Sequence, residues 1–298
     1  MTDFATHFKR VQRNIAESYV QAQIKSAVMP QTLNSDNLPA TIASIPTAGI
    51  IAPHPTSSDG WAHDSHEKVV QWAAWIEQNP HFAYSPNNPY LVDFFAGTQR
   101  MEYIEGEYRP VVILGFCHDY RVDTRMPCGI TARLQFALDE EMPMNQSTAN
   151  APSWVESWLR TERLPRIKDG MNADLRNIIT PVLKLTHHRA NIGTWQHTAD
   201  DLWIESQSEV EARAGISANG MLYPFYGYVS TGTGGRTARL PDGTAVRAWL
   251  RNPPQSGDHS YAAINTSGST GTATSNHMSR IMLAYCIGGQ AGGSFNVM

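Results

Sequence analysis

Charge is scarce in this sequence. Asp, Glu, Lys and Arg make up 17% of its 298 residues, 27 acidic against 23 basic, for a formal net charge of −4. That balance provides no basic field to hold nucleic acid or an anionic lipid surface. Cysteine is scarcer: three residues, an odd number at unpatterned spacings, make no disulfide framework. No apolar run approaches the ~18–20 residues that a membrane span needs. Met1 to Lys9 lacks the apolar core of a signal peptide, so synthesis in a cytoplasm is expected. Disorder is excluded from the other side. Hydrophobic residues reach 41%, with 8 Trp, 11 Tyr and 9 Phe, which is far too aromatic for an unfolded chain.

Catalytic signatures are missing as well. The Gly-x-Ser-x-Gly of many hydrolases is absent, and the Ser267 and Ser269 hydroxyls have no neighbour to activate them. Gly232-Thr233-Gly234-Gly235 lacks the following Lys-Ser/Thr of a phosphate-binding loop and reads as an exposed turn. Asp139-Glu140-Glu141 reads as solvated surface rather than a glycosidase pair. Among the 11 histidines, His63 and His66 have a ligand-like spacing, but the intervening residues do not fit a metalloprotease. Cys117-His118 and Cys128 have no Cys-x-x-Cys companion, and the three cysteines read as buried small hydrophobes. Neither a metal nor a cofactor is expected, nor catalysis.

What is present is a sequence of distinct textures. Phe4, Phe8, Val11, Ile15 and Ala22 recur at helical steps, so an amphipathic helix is expected over about 3–28, ended by Pro30. Residues 31–60 form a stiff, proline-containing connector with room for a short helix through Leu38, Ile42 and Ile45. Val69, Val70, Trp72, Ala73 and Ile76 mark a second helix. Met101–Leu114 reads as a hairpin turning at Glu105-Gly106, and Ile130–Leu138 as a further strand. Helices are expected at about 152–163 and 171–186, the second opened by Asn172 or Asp174. Asp201–Ile204 is a short strand, and Ser206 with Glu209 matches a capping box. Ala245–Leu250 and Met282–Ile287 are the last strands, separated by a loop over 256–279 that is free of Lys, Arg and Glu. Strands scattered among mid-chain helices point to an α+β fold.

Aromatic residues beside polar loops are the best candidates for recognition. Tyr223, Tyr226 and Tyr228 stand near a Gly-rich turn, and His259, Tyr261 and Asn265 lie in the second polar stretch. Tyr offers rigid contact area while Ser, Gly and Asn offer adaptable hydrogen bonds. These six are the candidate receptor-binding residues, expected to project together from loops about 219–237 and 255–279.

Several segments carry a resemblance. Val111–Asp119 is similar to the strand ending in Gly-Phe-x-His-Asp of a widespread phage and prophage domain family. Gly97-Thr98-Gln99-Arg100 and Cys128-Gly129-Ile130-Thr131, on either side of it, resemble that family too. Trp154–Arg160 resembles its Trp-x-x-Ser-x-x-Arg helix, Asp200–Val210 its Asp-x-Leu-x-Leu-Ser-x-x-Glu segment, and Trp249-Leu250-Arg251-Asn252-Pro253 its Trp-Leu-Arg-Ser-Pro signature. Ala284-Tyr285-Cys286-Ile287 resembles its closing strand. Upstream, Leu38–Pro46 is similar to an N-terminal element of phage tail and fibre proteins.

The resemblance spans about 61–287 and implies a C-type-lectin-like domain over 61–298, behind a helical anchor (1–30) and the connector (31–60). Family members are similar to virion surface proteins. The implied role is a non-enzymatic virion protein of fibre or tail-tip type, made in the host cytoplasm. It would self-associate as a trimer, bind other virion proteins through its N-terminal region and attach a lectin-like head to a host glycan or protein. The alternatives are a capsid, neck or head-fibre decoration, and an oxidase-like enzyme on a related fold, for which Cys117 and Cys128 are the near pair. Asn252 departs from the usual Ser, and the calcium-binding triplets of animal lectins are absent. Trp154, Trp158, Arg160, Trp203, Trp249 and Arg251 are expected as scaffold, the rings as core and the arginines as donors to loop carbonyls.

Overall fold

The computed structural model describes residues 58–80, 99–148, 153–187, 195–211, 222–229, 233–253 and 259–289. The helix expected over 3–28, and the connector up to residue 57, lie outside them. Two helices open the described fold, α1 (Ser58–His63) and α2 (His66–Gln78). Ser65 caps α2 by accepting from the Lys68 N–H at 3.3 Å. Val69, Trp72, Ala73 and Ile76 form its buried stripe.

Strand β1 (Arg100–Ile104) and β2 (Glu107–Phe116) form the expected hairpin, with Glu105 and Gly106 at φ 52° and 82°. β3 (Tyr120–Arg121) and β4 (Ile130–Leu134) follow. A 3-10 turn (Trp154–Glu156), a π-helical turn (Leu159–Arg163) and α3 (Leu164–Asp169) lead to α4 (Ala173–Ile178), which Asn172 caps. β5 (Val182–His187) and β6 (Trp195–Asp200) pair as a hairpin. β7 (Leu202–Ile204) enters the Ser206/Glu209 capping box and α5 (Gln207–Val210). Then come α6 (Pro224–Val229), β8 (Ala238–Arg239), β9 (Ala245–Val246) and β10 (Ala248–Trp249). β11 (Ser260–Ile264), β12 (Thr270–Thr274) and β13 (Leu283–Ile287) close the described fold.

The central sheet is five-stranded, in the order β1-β2-β4-β13-β7, and every neighbouring pair is antiparallel. Its inner strands β4 and β13 are buried along their whole length, as is β2 from Val111 onward. Smaller sheets β3-β5-β6 and β10-β11-β12 and the β8-β9 pair surround it. Mixed helix and sheet in this arrangement is the α+β class. Helix α2 lies against the backbone just before β4 because Gly129 has no side chain. A Cβ there would meet the Ala73 carbonyl oxygen at 2.5 Å. The same core takes in Trp61, Trp154, Trp203 and Trp249, each at most 1% exposed.

Five sequence expectations need correction. The helix begun at Asn172 ends at Ile178, and the alternating run after Pro181 is strand β5 instead of a helix reaching 186. Pro181 has no N–H to continue the helix. The helix expected over 152–163 is a 3-10 turn and a π turn running into α3. Ala245–Leu250 holds two short strands in separate sheets, and the strand from Ile130 stops at Leu134. The stretch expected as a loop over 256–279 contains the β11–β12 hairpin, turning at Gly268 with φ 77°. Thr-rich β12 suits a strand although it lacks large apolar residues.

Candidate functional site

Several charged side chains are buried in the core. Lys184 projects from β5 into the core, 2% exposed, where its ammonium lies 4.0 Å from the Trp203 ring centroid. It donates to Asp119, to the Tyr223 hydroxyl at 2.9 Å and to Glu209 Oε1 at 3.2 Å. Asp119 follows the sharp end of β2, where Cys117 takes φ 50°. Its other oxygen accepts from Thr131 Oγ1 at 2.7 Å. Glu209 closes the capping box by accepting from the Ser206 N–H at 2.8 Å, and it also binds the Arg251 guanidinium through both oxygens. One lysine and one arginine thus face two carboxylates, all four buried.

Two further buried knots flank this cluster. Arg133 of β4 donates to Glu205 at 3.2 Å and to the Tyr226 hydroxyl at 3.0 Å, and that hydroxyl donates on to Glu205 at 2.8 Å. Asp200 accepts from the Trp154 indole at 2.8 Å, Thr198 Oγ1 at 2.7 Å and Arg160 Nε at 2.6 Å. Arg160 also donates to the Val155 carbonyl at 2.9 Å, and Arg251 to the Ile204 carbonyl at 3.2 Å. Asn252, in place of the resembling family's Ser, accepts from the Gln207 N–H at 2.8 Å and so helps to start α5.

Burial pushes the Asp119 carboxyl up, but Lys184 and His118 outweigh burial and hold it far below the usual carboxylate range. Glu209 is also lowered, because Arg251 and Lys184 overcome the same penalty. For Glu205 burial wins over Arg133 and Tyr226, and its carboxyl is raised. Burial raises the Tyr223 and Tyr226 hydroxyls as well. The Cys117 and Cys128 thiols are pushed up by burial, the opposite of what a thiolate nucleophile needs. All three cysteines are buried. Among the described residues, no three of His, Cys, Asp and Glu stand where they would share a metal ion. His66, one of the histidines with ligand-like spacing, pairs with Glu102 at 2.9 Å.

The candidate receptor-binding residues do not form an exposed face. Tyr223, Tyr226 and Tyr261 are 0%, 4% and 0% exposed, which corrects the expectation that they anchor a partner. The first two are held inside by the carboxylates their hydroxyls serve, and Tyr261 stacks edge-on to Trp249 with centroids 6.5 Å apart. Tyr228 belongs to α6, but its side chain lies outside the described residues. His259 is exposed just before β11. Asn265 is half-buried in the β11–β12 turn, bonded to Ser269. The scaffold candidates sit where large rings and donors are needed: Trp154, Trp203, Trp249 and Arg251 are buried, and Trp158 packs partly buried against the core.

The exposed aromatic residues lie elsewhere. Tyr103 and Tyr108 face each other across the β1–β2 hairpin, centroids 5.4 Å apart. Tyr120 and Trp195 belong to the sheet β3-β5-β6. Sequence reading missed these, and it missed the roles of Asp119, Lys184 and Glu205. The capping box gave notice of Glu209, but nothing local distinguishes Lys184 from a solvated lysine. The chain matches no model of a known protein family, no curated protein and no solved structure.

Proposed function

We propose that the chain is a non-enzymatic bacteriophage virion protein of fibre or tail-tip type, with a C-type-lectin-like head that attaches to the host surface. One observation carries this reading. The segments that bear the family resemblance meet in the same buried polar framework: Asp119 after β2, Trp154 and Arg160 around Asp200, Glu209 in its capping box, and Arg251. A framework whose ionised groups are spent on one another and on backbone carbonyls suits rigid display. In this reading residues 1–30 anchor and trimerise the chain, 31–60 connect, and the virion is its location. Its partners are itself, other virion proteins, and a host glycan or protein.

Burial of Tyr223, Tyr226 and Tyr261 favours a second reading, a capsid or neck decoration that contacts only virion proteins. Labelled antibody to the chain, viewed on particles by negative-stain microscopy, separates them. Label at the tail tip supports attachment. Label over the head overturns it in favour of decoration, and unlabelled particles overturn both.

A further inference from the structure

Three lysines stand among the described residues, and two of them make ordinary surface pairs. Lys68 meets Asp64 at 2.9 Å and Lys168 meets Asp201 at 2.8 Å, the lysine side chains being 53% and 25% exposed. Lys184 differs on both counts. Its side chain is 2% exposed, and its Nζ touches two carboxylates at once, Asp119 and Glu209, which are themselves 5% and 2% exposed. The Trp203 and Tyr223 ring centroids lie 4.0 and 5.5 Å from Nζ and wall it from solvent. Two neutral hydroxyls serve Asp119, Thr131 at 2.7 Å and Tyr223 at 3.1 Å. Glu209 is gripped instead by the Arg251 guanidinium through both oxygens. An amine, the carboxyl it contacts and a second carboxylate 3.2 Å from the same nitrogen thus meet in the core.

We propose that Lys184 and Asp119 condense to an amide, a covalent tie between β5 and the turn that follows β2. The inference does not rest on the virion reading. The ion pair is the starting state. One proton passes from Nζ to the Asp119 carboxylate, leaving a neutral amine beside a neutral carboxyl. The nitrogen lone pair attacks Cγ and forms the C–N bond. Glu209 Oε1 accepts the proton that the nitrogen sheds and delivers it to the departing hydroxyl, which leaves as water. Thr131 and Tyr223 donate to the oxygen that stays. Ammonium and carboxylate become amide and water, so no oxidant, activator or outside group is needed. Asp119 is mostly ionised, which keeps the neutral pair scarce and the reaction slow. Each chain reacts once, however, and fixed contact gives the amine an effective molarity of ~10⁵–10⁸ M. Charge selects Asp119 over Glu209. Two buried cations face two buried anions, and the amide removes one of each, leaving Glu209 with Arg251 as a matched pair. A bond to Glu209 would strip Arg251 of its counter-ion and leave Asp119 charged. The tie joins residues 65 apart in sequence and restrains the unfolded chain as a disulfide does. Titration of Asp119 is then a property of chains in which the bond is open.

The intact mass of the purified full chain, measured in denaturant, tests this. An ion pair dissociates there and leaves the full sequence mass, whereas the closed bond leaves a chain lighter by one water. Trypsin locates the bond, because an acylated Lys184 is not cut and its peptide stays joined to the one that holds Asp119. Location matters, since a succinimide at Asp59-Gly60, Asp169-Gly170 or Asp242-Gly243 loses the same water. Glu209→Gln keeps a residue able to close the capping box but removes the proton carrier. In chains harvested at matched times after synthesis, that variant is expected to close about 100-fold more slowly. Lys168→Met, in a surface pair, should lose the water as the parent does. If circular dichroism shows that Glu209→Gln does not fold, the parent's mass decides alone. A parent at its full sequence mass overturns the proposal. So does a missing water that maps to an Asp-Gly pair or to a link between Lys184 and Glu209, and so does equally fast closure in folded Glu209→Gln.

Discussion

The indole N–H of Trp154 donates to the Asp200 carboxylate at 2.8 Å, joining the 3-10 turn to β6 across 46 residues of sequence. Asp200 is 3% exposed and also accepts from Thr198 and Arg160. Removing the carboxylate leaves an indole without that acceptor, the Thr198 hydroxyl with its longer bond to the Lys184 carbonyl at 3.4 Å, and a guanidinium without its counter-ion. Asp200→Ala is therefore expected to cost about 3–5 kcal/mol, the usual penalty for breaking one side of a buried pair. Urea unfolding measures it, and a loss below about 1 kcal/mol would count against a structural role for this knot.

Acid should weaken the fold through Asp119 and Glu209. Both are held below their ordinary range in the folded chain, so below about pH 4 the unfolded chain binds protons that the folded one refuses. The stability they contribute is complete above that pH and is lost as pH falls further. Glu205 acts in the opposite sense. Its carboxyl is raised, so the folded chain takes that proton first and is stabilised by it as pH falls. Hydrogen bonds from Arg121 and the Thr244 N–H lower Asp123 and Asp242 as well, and burial raises Glu77. With four lowered carboxyls against two raised, stability should decline on the acid side, each unshared proton of a buried carboxyl adding about 1.4 kcal/mol per pH unit. Asp119→Asn should flatten the decline by about one proton. Denaturant melts between pH 5 and pH 2.5 with identical slopes in the two proteins would contradict the assignment.

Gly129 is a packing requirement, not a flexible joint. A Cβ there would lie 2.5 Å from the Ala73 carbonyl oxygen and 2.6 Å from the Ala73 Cα, both backbone atoms of α2. Backbone cannot swing aside as a side chain does, so Gly129→Ala should push α2 off the central sheet. A loss of about 1–3 kcal/mol or more is expected, with rising exposure of Trp72 detected by its fluorescence. A melt unchanged within 0.5 kcal/mol would show that the helix slides freely.

The sequence made some of this legible and hid the rest for definite reasons. The β1–β2 hairpin, the α2 stripe and the Ser206–Glu209 box are local patterns, each set by residues within a few positions of one another. Lys184 is different. It sits between Leu183 and Leu185, and simple alternation would turn the leucines inward, yet the lysine goes in because Asp119, Glu209 and Tyr223 wait there. Those partners are 65, 25 and 39 residues away, and no local rule reaches them. The same long-range pull takes Tyr223 and Tyr226 out of the candidate face. A tyrosine beside glycines looks like a loop anchor until a buried carboxylate claims its hydroxyl.

That reassignment gives the sharpest test of where recognition resides. If Tyr261 and Tyr226 are core, then Tyr261→Ala and Tyr226→Ala belong with Trp249→Ala. Each should cost about 3–5 kcal/mol as large buried rings are removed. Trp249 adds an indole donation to the Met142 carbonyl at 2.8 Å, which is lost with the ring. Tyr226→Ala also leaves Glu205 with Arg133 as its remaining side-chain partner. Exposed rings should behave in the opposite way. Tyr120→Ser and Tyr108→Ser, at residues 50% and 69% exposed, are expected to stay within about 0.5 kcal/mol of the parent. Adsorption of purified protein to host cells, measured beside thermal melts, then separates fold from contact. Loss of adsorption in the exposed variants with unchanged melting places attachment on the sheet faces. Loss confined to the Tyr226 and Tyr261 variants, with their melts intact, would restore the late loops as the binding face and refute the buried assignment.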